Sequence, residues 1–174
     1  PVNAVGAPSG GMRFGNGEKK SIAPEGAPTV LLPVEHSTMT IEARQQKAES
    51  LLRAAGILPV VTVHTLDEAR KVSEALLKGG LPAIELTLRT PVAMDALAML
   101  KKELPDIVIG AGTVLTQDQI TQSIDAGADF LVTPGTPPAI AEALAAADIP
   151  VVPGAATPTE LLSLMARGLR VCKL

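Results

Sequence analysis

From Thr40 onward the chain switches repeatedly between two hydrophobic periods. Short apolar runs at residues 57–63, 83–88, 107–112, 130–133 and 150–154 read as strands. Between and after them, at residues 66–78, 91–103, 117–126, 137–147 and 158–166, apolar positions recur every third or fourth residue, as in amphipathic helices. Residues 171–174 open a sixth strand. A further helix precedes the series. Its apolar stripe is Ile41, Ala48, Leu51 and Leu52, with Arg44, Lys47, Glu49 and Arg53 expected outside and Gly56 as its stop.

The helix starts agree with this phasing. Thr65, Thr90, Thr116, Thr136 and Thr157 stand where a hydroxyl can accept from an orphan backbone N–H. Glu68, Gln119 and Glu160 follow at capping-box spacing, and Pro91, Pro137 and Pro158 take the first helical position. Repeated strand–helix units imply a parallel sheet, either open and doubly wound or closed into a barrel.

The second strand decides between them. Alternation places Ile84, Leu86 and Leu88 on one face and Glu85, Thr87 and Arg89 on the other. A carboxylate, a hydroxyl and a guanidinium on a strand covered on both sides would be costly to bury for packing alone. They line a site, or the strand is a wetted edge. A barrel accounts for the site, because its strand ends aim side chains into a shared mouth. The expected class is therefore α/β, a (β/α)8 TIM-type barrel, here with five complete units and the start of a sixth. An eight-unit barrel usually needs about 200 residues or more, so residues 39–174 are expected to be the N-terminal part of a longer barrel.

Residues 1–38 break the pattern. They are rich in Gly and Pro and read as a disordered leader or linker, with one short strand, interrupted by Pro33, at 29–34. Residues 15–20, Gly-Asn-Gly-Glu-Lys-Lys, lack the spacing of a nucleotide-binding loop and follow no apolar strand.

Composition narrows the function. Of 174 residues 47% are hydrophobic and 19% charged, which fits a globular core. The net charge of −3 gives no footprint for nucleic acid, and Phe14 and Phe130 alone offer no stacking platform for bases. The apolar runs are too short for a membrane span. The single Cys172 rules out an internal disulfide and suits a reducing, cytoplasmic setting, where it reads as a small buried hydrophobe. No His/Cys/Asp/Glu cluster has metal-ligand spacing, so neither metal nor cofactor is expected.

In a barrel the chemistry sits at the carboxyl ends of the strands. Those ends carry Glu85, Thr87 and Arg89, then Gly110 to Thr113, Thr133 to Gly135, Pro153 to Ala155, and Lys173. Among these groups only the lysine can form a Schiff base with a carbonyl, and it attacks as the neutral amine. Read without context, Lys173 is a surface lysine near the chain end. Glu85 and Arg89 stand too far apart along a strand, about 13 Å, to pair directly. Thr113 can cap the helix after the third strand, a role compatible with touching a ligand.

Taken in order, Glu85-Leu86-Thr87-Leu88-Arg89-Thr90, Gly110-Ala111-Gly112-Thr113-Val114-Leu115, Thr133-Pro134-Gly135, Pro153-Gly154 with Thr157-Pro158-Thr159-Glu160, and Cys172-Lys173-Leu174 resemble the 2-keto-3-deoxy-6-phosphogluconate / 4-hydroxy-2-oxoglutarate aldolase family. The resemblance implies a metal-free (β/α)8 barrel, usually a homotrimer, acting on small keto acids through a lysine Schiff base. By position it makes Lys173 the Schiff-base lysine and Glu85 the general acid/base. Arg89 and Thr113 would hold the pyruvate-side carboxylate, and Pro134 would wall the pocket. His64 is a weak stand-in for a basic residue that some members carry near the substrate phosphate. The family's Gly-Gly phosphate loop has no counterpart in this sequence. Two rival readings stand beside this one: a phosphosugar barrel isomerase or synthase without imine chemistry, and an inactive fragment.

Overall fold

A computed structural model describes residues 39–174. The leader, with its short strand at 29–34 and the stretch at 15–20, lies outside the described residues. Helices and strands alternate as α1 (Ile41–Ala55), β1 (Val60–Val61), α2 (Leu66–Lys78), β2 (Ala83–Thr87), α3 (Ala93–Glu103), β3 (Val108–Gly112), α4 (Gln117–Asp125), β4 (Phe130–Val132), α5 (Pro138–Ala146), β5 (Val151–Val152) and α6 (Pro158–Met165). The strands are shorter than the apolar runs that announce them, and the sheet is wholly parallel in the order β1-β2-β3-β4-β5. Lys173 extends it by one bridge to Gly154: its N–H donates to Pro153 O at 2.9 Å, and its carbonyl accepts from Ala155 N at 2.9 Å.

The sheet is strongly curled. Adjacent strands lie about 4.8 Å apart, so β2 and the Lys173 segment would be about 19 Å apart on a flat sheet. Their side chains nevertheless meet, Lys173 Nζ lying 3.1 Å from Glu85 Oε2. Among the described residues no pairing joins β1 to the Lys173 segment, so the barrel wall is not closed.

On the outer face Ile84, Leu86, Ile109, Ala111, Leu131 and Val151 are buried under the helices. On the inner face Phe130, Val132 and Val152 pack with Ala48 of α1, backed by Leu51 and Leu52. A Cβ at Gly110 would overlap the Phe130 ring, so the largest inner side chain depends on a bare backbone beside it.

Three sequence expectations are corrected here. Arg44, expected outside, is 5% exposed, and so is its neighbour Gln45. Arg44 donates to Ala145 O at 2.6 Å and Leu144 O at 3.5 Å, so its cation meets the carbonyl end of α5, where the helix dipole favours positive charge. Gln45 donates to Val151 O at 3.0 Å and accepts from Arg170 N and Val171 N at 2.7 and 2.8 Å. Together they fasten α1 across the amino ends of the last strands. Thr65, Thr116 and Thr157 cap their helices, and Glu160 completes the box at α6. Thr90 and Thr136 do not cap. Their hydroxyls donate instead to Val63 O at 2.7 Å and Gly154 O at 2.8 Å, while the N-cap positions of α3 and α5 are Val92 and Pro137, which supply no side-chain cap. Pro91 accordingly falls in the turn before α3, and Pro137 at the N-cap of α5, rather than at the first helical position of either.

Candidate active site

β2 is buried along its whole length and paired on both sides, which removes the wetted-edge reading. Its central residue, Glu85, points to the inner face and is 3% exposed. A carboxylate there needs a partner or a proton. Lys173 is the partner, with Nζ 3.2 Å from Oε1 and 3.1 Å from Oε2. Gly112 makes the arrangement possible, since a Cβ at that position would fall onto the Glu85 carboxylate. The lysine side chain keeps 41% of its surface exposed while the glutamate keeps 4%, so the amine stands at the solvent side of the pair. The two line a cleft of about 260 Å³ whose walls include Leu58, Val60, Val132 and Val152. Cys172 borders the same cleft, and burial pushes its thiol up, keeping it a neutral apolar wall.

Arg89 and Thr113 form a second pair, Nε donating to Oγ1 at 3.2 Å. Thr113 does not cap α4, a task that falls to Thr116. It is instead the one non-glycine residue with positive φ among those described, at 58°. A β-branched residue in the left-handed region is strained by about 1–3 kcal/mol. The neighbouring peptides explain why it is held there: Gly112 O accepts from Leu88 N at 2.8 Å, and Val114 N donates to Val132 O at 3.2 Å. The strand ends on either side thus impose the conformation that turns the threonine toward Arg89. Pro134 lies exposed on the rim, close against Gly154, and is not among the residues lining the cleft. His64 is exposed and its N–H donates to Glu68 at 2.7 Å.

Two hydroxyl clusters complete the mouth. Thr62 and Thr87 meet at 2.8 Å, and Thr87 donates to Val61 O at 3.1 Å. Thr133, fully buried, accepts from Gly154 N at 3.0 Å and lies 2.8 Å from the Thr136 hydroxyl, which itself donates to Gly154 O. This closed ring fixes Gly154, the residue bridged to Lys173. Thr62 escaped the sequence reading, although a hydroxyl in an apolar run, on the face of Val60, was the available signal. Among the described residues no group of His, Cys, Asp and Glu could hold a metal ion, and no helix is long and apolar enough to cross a membrane.

The family model for KDPG and KHG aldolase matches residues 48–174, a stretch that includes every side chain of this mouth. The chain belongs to the KDPG and KHG aldolase family. It is 39% identical over 126 residues to the KHG/KDPG aldolase of Escherichia coli strain K12, covering 72% of this chain and 59% of that protein. The 2-dehydro-3-deoxy-phosphogluconate aldolase of Dickeya dadantii is 38% identical over the same shares. Among solved structures, the KDPG aldolase of Legionella pneumophila, with pyruvate captured as a covalent carbinolamine intermediate, superposes with a TM-score of 0.68 at 38% identity, over 70% of this chain and 59% of that one. The aldolase of Zymomonas mobilis ZM4 with 3-phosphoglycerate gives 0.69 at 34% identity, over 72% and 59%. The chain thus spans about 59% of the length of these relatives.

Proposed function

We propose that this chain carries the imine-forming half of a class I aldolase that cleaves 2-keto-3-deoxy-6-phosphogluconate or 4-hydroxy-2-oxoglutarate. The observation that carries the reading is the contact between Lys173 Nζ and both oxygens of the buried Glu85. A carboxylate within hydrogen-bond reach can take the proton of the ammonium and leave the amine free to attack. The amine adds to the C2 carbonyl, and Glu85 returns its proton to the carbinolamine hydroxyl, which leaves as water to give the iminium and the free carboxylate. Glu85 then takes the C4 hydroxyl proton as the C3–C4 bond breaks, and the electron pair enters the enamine. The aldehyde departs, carbon C3 takes a proton, and water releases pyruvate and the lysine. Arg89 and Thr113 suit the substrate carboxylate, since a guanidinium fork and a hydroxyl held together on one rim match its two oxygens. Pro134, exposed on the rim beside Gly154, would wall the pocket in this reading.

The aldolase names of the relatives support reading the working enzyme as a lyase, the single Cys172 a cytoplasmic setting, and the resemblance a homotrimer, which sedimentation of the intact protein tests. Borohydride reduction in the presence of pyruvate is expected to trap an adduct on Lys173. Trapping that survives Lys173→Ala, or activity indifferent to borohydride, would instead favour an isomerase or synthase without imine chemistry.

A further inference from the structure

We propose that Thr62 selects the substrate by the group on the carbon beyond the cleaved bond, favouring a C5 hydroxyl over a C5 carboxylate. The inference rests on the aldolase reading above and deepens it.

Hydrogen-atom accounting carries the argument. Thr87 is fully buried, and its hydroxyl lies 3.1 Å from Val61 O and 2.8 Å from the Thr62 hydroxyl. A carbonyl only accepts, and a threonine hydroxyl has one hydrogen. We assign the Thr87 hydrogen to Val61 O, its one carbonyl partner, which leaves the Thr62 hydrogen to make the contact between the two hydroxyls. What Thr62, itself part-exposed, presents to a ligand is oxygen lone pairs alone. Such an oxygen welcomes a hydroxyl and repels a carboxylate.

The placement fits the same carbon. Val60 pairs with Glu85 and Val61 with Leu86, so Thr62 stands beside Thr87, two residues nearer the mouth than Glu85. That rise is about 7 Å. From a C4 hydroxyl at Glu85, one C–C bond, one C–O bond and one hydrogen bond reach about 6 Å. Arg89 and Thr113 lie toward β3, whereas Thr62 directly follows β1. A substrate with its C1 carboxylate at the former pair would extend its far end toward the latter.

The test runs the intact protein in the addition direction, joining pyruvate to glycolaldehyde, acetaldehyde or glyoxylate. These leave a hydroxyl, a hydrogen or a carboxylate oxygen at the probed position. In Thr62→Val the ratio of kcat/KM for glycolaldehyde to acetaldehyde is expected to fall about tenfold, the size of one hydrogen bond. Thr62→Ser restores the ratio. Thr87→Val frees the Thr62 hydrogen, and the ratio for glyoxylate to acetaldehyde rises. Borohydride trapping of pyruvate by each variant reports that the imine site is folded. A wild type that traps pyruvate, with ratios that do not move in Thr62→Val, overturns the role of Thr62 alone. A wild type that traps none overturns the aldolase reading and this inference with it.

Discussion

Arg44 and Gln45 at one end of the sheet and Glu85 near the other are all almost completely buried, yet their partners differ in kind. Every protein hydrogen bond of the first two goes to backbone: Leu144 O, Ala145 O and Val151 O, and the N–H groups of Arg170 and Val171. Glu85 is held by the side chain of Lys173, as Arg89 is by that of Thr113. Side chain to side chain bonds are only about 10–15% of those in proteins. Backbone partners are fixed by the fold, so the amino end is a fastening. Side-chain partners can exchange one another for a ligand, and that exchange is what an active site requires. The comparison predicts that substitutions at the two ends separate stability from chemistry.

The largest effect is expected at Lys173. Lys173→Met should abolish pyruvate trapping and lower turnover beyond about 10⁴-fold, since the covalent route is gone. It also strands a buried carboxylate, which costs about 3 kcal/mol. Adding Glu85→Gln should recover most of that stability, read by denaturant midpoint, and none of the activity. Glu85→Gln alone should leave trapping possible but slow turnover by about 10²–10⁴. A Glu85→Gln variant with unchanged turnover would remove the carboxylate from the mechanism.

Gln45→Leu probes the opposite end. It deprives one carbonyl and two N–H groups of their partner, and a drop of about 2–4 kcal/mol in unfolding free energy is expected. Turnover per folded molecule, assayed well below the melting temperature, should hold. If turnover fell while the midpoint stayed, the division between a fastening end and a reacting end would be wrong.

The same division marks how far the sequence could be read. Periodicity located every helix and strand of the described residues, because outward-facing Ile84, Leu86 and Leu131 obey a period of two and the helices one near 3.6. Glu85 and Arg89 stood out as polar residues on a strand, a local signal. Arg44 was misread because charge on a helix is normally outside, and only the tertiary position of the α5 carbonyls makes it an inside residue. Thr90 and Thr136 were misread for a related reason. Their spacing suits a cap, but a strand end from another unit offers a carbonyl at shorter range. The meeting of Lys173 with Glu85 follows from the curl of the sheet, which no local pattern encodes.

Thr133 tests a case between the two ends, a hydroxyl ring that serves the backbone of Gly154 and, through its bridge, Lys173. Thr133→Val should cost about 1–2 kcal/mol and lower the rate of trapping several-fold with little change in the KM for pyruvate, while Thr133→Ser restores both. Equal loss in the Ser variant would mean that the methyl packing matters and the ring does not.

The smallest effect belongs to Glu160, which lies near the mouth but is bound in the manner of the fastening end. Its Oε2 accepts from Ala156 N, Thr157 N and the Thr157 hydroxyl at 2.9, 2.9 and 3.0 Å. The Ala156 N–H first, then the hydroxyl and N–H of Thr157, hold its carboxyl below the ordinary carboxylate value. The folded state therefore favours the ionised form. Its contribution is complete above the unfolded pKa and disappears as the pH falls through the lowered folded value. Glu160→Gln should lower the midpoint slightly at pH 7, and the difference from wild type should shrink toward nothing in acid. If partner type rather than location decides a residue's role, turnover must be untouched despite the nearness of α6 to the mouth; a turnover loss larger than the midpoint shift explains would show that location counts.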